Sequence, residues 1–128
     1  MSPATMGKIE LGSRLALDFA AAANAGNAER LSSLFEPGGM FRAESVGPDG
    51  EGVRGREEIR RYFEARFASA PGERFEIVEA LGLGYRCVLR WRLHKEGHGG
   101  DGGFGIEGVW IFSASQMGIR EIHAYRKA

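Results

Sequence analysis

The chain has 128 residues, with seventeen basic and seventeen acidic side chains and no block of like charge. This length suits one hydrophobic core, so we expect residues 1–128 to form a single domain. The balanced charge gives no electrostatic footprint for nucleic acid or for an anionic membrane surface, and neither is an expected partner. The single cysteine, Cys87, cannot form an internal disulfide, which favours a reducing, cytoplasmic location.

Two helices are predicted in the first third of the chain. Helix-forming residues dominate from Arg14 to Ala23, and the glycine in "NAGN" is a stop signal. Asp18 interrupts this apolar stretch, which disfavours a secretory signal, and the stretch is too short and polar to span a membrane. The segment "NAERLSSLF" follows with Asn27 as a typical N-cap, so a short second helix is expected before "EPGG" breaks it.

The rest of the chain predicts one more helix and five strands. A strand is expected at "MFRAESV", before the turn-rich "GPDGEG". The third helix is "GREEIRRYFEARF", whose apolar side chains share one face and whose charges form a solvated face. Four strands follow at "RFEIVEAL", "YRCVLRWRLHKE", "FGIEGVWIFSA" and "MGIREIHAYRK". Sequential antiparallel strands with helices on one side predict an α+β domain.

Five segments carry a family resemblance: "FAAAANAGNAERLSSLF", "GREEIRRYF", "RWRL", "EGVWIF" and "GIREIHAY". Together they resemble the nuclear transport factor 2-like superfamily, in its SnoaL-like and ketosteroid isomerase-like branches, from about Leu15 to Tyr125. The resemblance implies a cone-shaped, cystatin-like fold, in which a curved antiparallel sheet wraps around three helices of the N-terminal half. It also implies a pocket at the open end and, commonly, a dimer. Members include isomerases, dehydratases, cyclases, epoxide hydrolases and non-catalytic binders, so the family alone does not determine the reaction.

The catalytic residues of the ketosteroid isomerases are not matched. Their helix tyrosine falls on Phe19, and their general base falls on Ala43 or Ser45, one residue from Glu44. Their protonated aspartic acid falls on Gly108. Ketosteroid isomerase activity is therefore not expected from the resemblance.

The same alignment, together with the alternation of apolar residues, assigns the strand faces. In the last strand Ile122, Ala124 and Arg126 are expected to face inward, and the polar row beside them outward. Arg126 stands where the resemblance implies an aromatic wall, so its guanidinium could meet a carboxylate or an enolate. The residues expected to line the pocket are Phe19, Tyr62, Tyr85, Leu89, Trp91, Ile106, Trp110, Ile122 and Arg126.

Glu44 is the candidate catalytic base, because it is the carboxylate closest to a family base position. In an apolar pocket the pKa of a carboxyl rises toward neutrality, which would let Glu44 move a proton. The alternative is that Glu44 faces solvent beside the "GPDG" turn. The aromatic side chains also allow two interpretations, since they could line a ligand site or simply fill the core.

No metal or other cofactor is expected. His94, His98 and Asp101 carry suitable donor atoms, but the glycines of "HKEGHGGDGG" give no fixed geometry for a metal site.

Two functional hypotheses remain. The first is an isomerase, cyclase or hydrolase that acts on a hydrophobic small molecule by proton transfer. Glu44 would be the base, and Tyr62, Tyr85 or Arg126 would orient the substrate. The second is a non-catalytic module that binds an apolar ligand or dimerises. A homodimer through the outer face of the sheet is expected in either case.

Overall fold

The structure is a computed structural model that describes residues 11–43, 52–95 and 106–127. Its helices are α1 (Leu11–Asn24), α2 (Ala28–Ser33) and α3 (Arg56–Ser69). Its strands are β1 (Phe35–Ala43), β2 (Val53–Arg54), β3 (Glu73–Leu83), β4 (Arg86–Lys95), β5 (Ile106–Ser115) and β6 (Gly118–Lys127). The three predicted helices and the four C-terminal strands are confirmed, apart from a few residues at their ends. The two-residue strand β2 was not predicted.

Helix α1 lies directly on the sheet because its buried face consists mainly of small residues. Apart from Phe19, that face is made of glycine and alanine. A Cβ added at Gly12 would lie 2.8 Å from backbone atoms of Tyr85 and Arg86. The Gly12 amide also donates to the Gly84 carbonyl at 2.8 Å. The first turn of α1 is therefore seated on the turn between β3 and β4.

Helix α2 starts as the sequence predicts. The side chain of Asn27 accepts a hydrogen bond from the Arg30 amide at 2.9 Å, which is the expected N-cap contact. The helix ends at Ser33, before "EPGG" as predicted, but these four residues belong to β1, which therefore begins earlier than the predicted strand. The β1–β6 register shifts between Phe35 and Met40. Pro37 lies in this irregular stretch, where a missing amide hydrogen is tolerated.

Helix α3 has one buried and one charged face. Ile59 and Phe63 are buried against the sheet. On the other face Arg60 contacts Glu57 at 2.6 Å and Glu64 at 2.7 Å. The solvated charged face predicted from the sequence is confirmed.

The six strands form one sheet in the order β2-β1-β6-β5-β4-β3. Strands β3 to β6 are an antiparallel meander, as predicted. The α+β class of three helices against one sheet is confirmed. The sheet differs from the predicted all-antiparallel arrangement at one place, because β1 runs parallel to β6 and pairs Phe41 with Ile122. The chain path permits this parallel pairing, because α3 and strands β3 to β5 lie between β1 and β6 in the sequence.

The core lies between the helices and the inner face of the sheet, with Phe19 at its centre. Phe19 is fully buried, and five aromatic rings surround it with centroids 5.1 to 6.4 Å away. Cys87 belongs to the same core, and burial raises the pKa of its thiol although a hydrogen bond to Ser13 acts in the opposite direction. Within the described ranges, no helix is long and apolar enough to cross a membrane.

Candidate functional site

A cleft of about 1170 Å³ opens at the end of the inner face where α1 ends. Helix α3 and strands β1, β3 and β6 border it, and its inner wall is aromatic. The aromatic residues of the wall are Phe19, Phe41, Tyr62, Phe63, Phe67, Phe75, Trp91 and Trp110.

Three of these rings form a connected panel. Phe75 and Trp91 meet nearly perpendicularly with centroids 5.0 Å apart, and Phe75 lies 4.7 Å from Trp110. The two tryptophans are 5.4 Å apart. Only 4% of Trp91 and 5% of Trp110 are exposed, so each ring is held by its neighbours. The panel is a rigid apolar wall of the cleft, in which Phe75 is half-buried and is the most exposed of the three rings.

The panel also explains why an acid is absent at Gly108. A Cβ added at Gly108 would lie 2.3 Å from Cζ2 of Trp91 and 2.4 Å from the Tyr125 carbonyl oxygen. The indole of Trp91 therefore fills the space in which the family resemblance expects a protonated aspartic acid. An acid at this position would require Trp91 and the backbone of β6 to move.

Trp91 carries an unusual polar atom. Among the described residues, its Nε1 is the single buried side-chain nitrogen or oxygen without a hydrogen-bond partner. It is closed to solvent, so a ligand in the cleft would have to displace neighbouring atoms to reach it. A buried, unpaired donor destabilises a fold by about 1–3 kcal/mol.

One side of the mouth is held by a clamp between α1 and β3. The side-chain amide of Asn24 donates to the Phe75 carbonyl at 2.9 Å and accepts from the Phe75 amide at 2.7 Å. Arg66 donates to Glu73 at 3.1 Å, which ties the end of α3 to the same strand. Asn24, Arg66 and Glu73 were missed from the sequence, where Asn24 was interpreted only as part of a helix stop.

The other side of the mouth contains a cluster on β1 and β6. Arg42 Nε donates to Glu121, and His123 Nε2 lies 3.1 Å from Glu121 Oε1. Burial alone would raise the pKa of Glu121, but the bonds from Arg42 and His123 hold it below its ordinary value. The His123 ring stacks on Tyr125 with centroids 6.3 Å apart.

Strand alternation places this cluster on the outer face. Ile122 is fully buried and Ala124 packs against the core, so His123 and Tyr125 project to the opposite side. Both residues border the cleft only at its rim, together with Arg126. The row of polar residues in the last strand is therefore not the inner lining.

The structure places five of the nine predicted lining residues in the wall of the cleft. These are Phe19, Tyr62, Trp91, Trp110 and Arg126. Whether they contact a ligand stays a prediction.

The other four do not line the cleft. Leu89 and Ile122 are fully buried on the inner face, where they belong to the core, and Ile106 packs against that core. Tyr85 is 45% exposed and lies in the turn beside the start of α1, at the opposite end of that helix from the cleft. Alternation identified the inner face but not how far along the strand the helices cover it.

The candidate base Glu44 lies outside the described residues, as do Ser45, His98 and Asp101. Ala43, the residue before Glu44, is part of the cleft wall. His94 Nε2 is 2.7 Å from Glu76 Oε1 on the outer face. The hydrogen bond with His94 is the main cause of the lowered pKa of Glu76. Within the described ranges, no three histidine, cysteine, aspartate or glutamate side chains are grouped to hold a metal ion.

Comparison with known families gives one match. The family described as the SnoaL-like domain matches residues 16–122. The match begins within α1 and extends through β5 to the first half of β6, so it includes most of the cleft wall. A search of curated proteins found no match.

Solved structures share the fold over almost the whole chain. An NTF2-like protein of unknown function from Mesorhizobium loti is 24% identical, with a TM-score of 0.75 and 94% of each chain covered. A cystatin-fold protein from Novosphingobium aromaticivorans is 21% identical, with a TM-score of 0.70, covering 88% of this chain and 96% of its own. A protein from Agrobacterium tumefaciens, proposed to be an isomerase of the SnoaL-like family, is 18% identical with a TM-score of 0.73, covering 91% and 97%. These similarities establish the fold.

Proposed function

The chain belongs to the SnoaL-like domain family of the NTF2-like superfamily, and we propose that it binds a hydrophobic small molecule in the aromatic cleft. The observation that carries this proposal is the panel of Phe75, Trp91 and Trp110 beside a cleft of about 1170 Å³. Small-molecule sites are typically concave, mostly apolar and roughly 300–1,000 Å³ in volume. A half-open cleft of this size can bury most of a compact apolar ligand.

Tryptophan fluorescence provides a direct test. The chain has two tryptophans, and both line the cleft, so their emission reports on its occupancy. We expect native mass spectrometry of gently purified protein to show a bound small molecule, and extraction of that molecule to shift the emission.

A cleft-filling variant and a matched control extend the test. Ala124 lies in the wall and pairs with Trp110, so Ala124→Phe should reduce the ligand bound. Tyr85→Phe, at the far end of α1, should leave binding unchanged. Retention of the ligand at full affinity by Ala124→Phe would contradict the proposal, as would the absence of any bound or bindable apolar molecule.

A catalytic form of this proposal is proton transfer, as in an isomerase, cyclase or hydrolase, with Glu44 as the base. Its basis is the alignment of Glu44 next to the family base position, and the residue before it, Ala43, lies in the cleft wall. The one carboxylate among the described lining residues, Glu73, is already bound to Arg66. Tyr62 and Arg126 are the lining residues that could orient a substrate oxygen, whereas Tyr85 no longer qualifies because it is remote from the cleft.

Proton abstraction can be tested without the natural substrate. Exchange of the α-hydrogens of 1-indanone in D2O, followed by NMR, should be faster with the protein than without it. Glu44→Gln should abolish the acceleration, and Glu57→Gln, an exposed α3 carboxylate, should not. No acceleration by the unmodified protein would favour the binding-only form, and full acceleration by Glu44→Gln would exclude Glu44 as the base.

We also propose that the outer face of the sheet pairs with a second copy of the chain. Leu81, Val88 and Ile111 are register partners across β3, β4 and β5, and Leu81 is 59% exposed. A charged row beside them alternates in sign, with Glu79 bound to Arg90 at 2.7 Å. Alternating charge lets two copies related by a two-fold axis face opposite charges, which suits an isologous dimer.

Analytical ultracentrifugation tests the dimer. Ile111→Lys places a charge in the apolar row and should yield a monomer with an unchanged helical circular dichroism spectrum. Leu17→Lys alters a residue of α1 that is 45% exposed and should leave the dimer intact. A monomeric unmodified protein at micromolar concentration would contradict the proposal.

A cytoplasmic location is proposed on the basis of Cys87, which has no second cysteine to pair with and is buried in the core. Fractionation of cells that produce the protein should recover it with cytoplasmic markers. Recovery from the medium or from an extracytoplasmic compartment would contradict this.

A further inference from the structure

Basic side chains dominate the mouth of the cleft. Among the described lining residues there are three arginines, Arg42, Arg66 and Arg126, and one carboxylate, Glu73. The charge of the whole chain is balanced, so this excess is local.

Both carboxylates at the mouth are already shared by two basic groups. Glu73 contacts Arg66 at 3.1 Å and Lys95 at 3.9 Å. Glu121, beside the rim, accepts from Arg42 and lies 3.1 Å from His123. Neither carboxylate is therefore available to neutralise a further cation.

Arg126 differs from the other two arginines of the cleft wall. It forms no ion pair with any of the residues that the structure describes, whereas Arg42 and Arg66 each do. Its register partner on β5 is Gly108, whose inner side is covered by the ring of Trp91. The guanidinium is thus carried on the inner side of β6, at the open edge of the aromatic panel.

We propose that the ligand of the cleft is an apolar molecule that bears a carboxylate, with its apolar body on the aromatic panel and its carboxylate on Arg126. This inference rests on the proposed binding function and adds the chemical class of the ligand. A guanidinium presents a planar fork of donors that matches a carboxylate with two parallel hydrogen bonds. A neutral ligand would gain less from this group, since hydrogen bonds to a charged acceptor are the stronger ones, and a cationic ligand would be repelled by the excess of arginine.

Two probes of nearly equal shape test the charge requirement. Adamantane-1-carboxylate and adamantane-1-carboxamide are compact and apolar, and neither absorbs where tryptophan is excited. Titration of the full chain, followed by tryptophan fluorescence, should show about tenfold tighter binding of the carboxylate at low ionic strength. The ratio should fall as salt is added, because Arg126 is exposed at the mouth.

Variants of two arginines on β6 test whether Arg126 causes the preference for the carboxylate. Arg126→Gln should reduce the ratio to about one, mainly by weakening the binding of the carboxylate, and Arg126→Lys should keep part of the ratio. Arg120→Gln removes another exposed arginine of β6, outside the cleft, and should preserve the ratio.

The failures of the two proposals are distinguishable. Equal affinity of the unmodified protein for both probes would overturn the carboxylate inference and leave the binding function standing. An unchanged ratio in Arg126→Gln would overturn the role of Arg126. Failure of both probes to bind would count against the cleft as a binding site, and so against both proposals.

Discussion

The inner face of the sheet has a closed end, where α1 begins, and an open end, where α1 stops. At the closed end backbones touch: a Cβ at Gly12 would lie 2.8 Å from the Arg86 amide nitrogen, and one at Gly118 would lie 2.6 Å from the Leu34 carbonyl oxygen. At the open end the same strands border a cleft of about 1170 Å³ lined by aromatic rings. One face of one sheet therefore serves as core along half its length and as a candidate binding surface along the other half.

The difference lies in what covers the strands and not in the strands themselves. Leu89 and Trp91 are two residues apart on β4, and both point inward and belong to the core, yet only Trp91 also borders the cleft. Residue type follows the division only partly, since Phe112 is as aromatic as Trp110 and is fully buried. Whether a core residue also borders the cleft thus depends on its position relative to α1.

The largest effect is expected at the boundary between the two ends. The ring centroid of Phe19 is 5.6 Å from that of Phe112 on the closed side and 5.1 Å from that of Trp110 on the open side. Phe19→Ala should lower the free energy of unfolding by about 3–5 kcal/mol, as for other buried phenylalanines, when measured by urea denaturation. Leu17→Ala, at a position that is 45% exposed on the same helix, should lower it by less than about 1 kcal/mol. Comparable losses from the two variants would refute the central role of Phe19.

A smaller loss in the free energy of unfolding is expected when a methyl group is added at Gly108, behind the aromatic panel. Gly108→Ala places a Cβ 2.3 Å from Trp91 Cζ2 and 2.4 Å from the Tyr125 carbonyl oxygen, so ring and backbone must both shift. We expect a loss of about 1–3 kcal/mol in the free energy of unfolding and a change in tryptophan emission. Gly38→Ala meets no atom within 4 Å and should be nearly neutral. An unaltered emission spectrum in Gly108→Ala would show that Trp91 does not occupy this space.

The smallest effect is expected at the rim, on the outer face. Glu121→Gln removes the carboxylate that holds Arg42 and His123, and should lower the free energy of unfolding by about 0.5–1 kcal/mol at pH 7. The pKa of Glu121 in the folded protein lies below its ordinary value of 4.5, so its contribution is present above pH 4.5 and is lost as the pH falls through that lower value.

Denaturation curves of Glu121→Gln and the unmodified protein should therefore converge in acid. Glu58→Gln, whose exposed carboxylate is 3.4 Å from Arg61, should show a smaller difference at pH 7. A difference at Glu121 that persisted unchanged at pH 3 would rule out its charge as the cause.

Several features of the fold follow from local chemistry and were predicted on that basis. The N-cap at Asn27 depends on one side chain and one amide three residues away, and the charged face of α3 depends on helical spacing. Likewise the alternation Cys87, Leu89, Trp91, Leu93 identified the buried face of β4. Each of these involves residues close in sequence, so the pattern contains all the information required.

The candidate site was predicted less completely, because it is assembled from distant segments. Asn24 reaches Phe75 across fifty-one positions of the chain, and Arg42 reaches Glu121 across seventy-nine. Tyr85 had the residue type and the face expected of a lining residue, but it lies in the turn before β4, next to the start of α1. Nothing near Tyr85 in the sequence records where that helix begins.

The sequence by itself determined the elements and which side of each strand is apolar, because the periods of helix and strand act over a few residues. The tertiary structure decided where that apolar side is covered and where it is left open. The glycines and alanines of α1 allow close approach at one end, and the helix stops at Asn24 before the sheet does. Among the described residues the guanidinium of Arg126 forms no ion pair, and the carboxylates of Glu73 and Glu121 are bound by other basic groups, which only three-dimensional contact could establish.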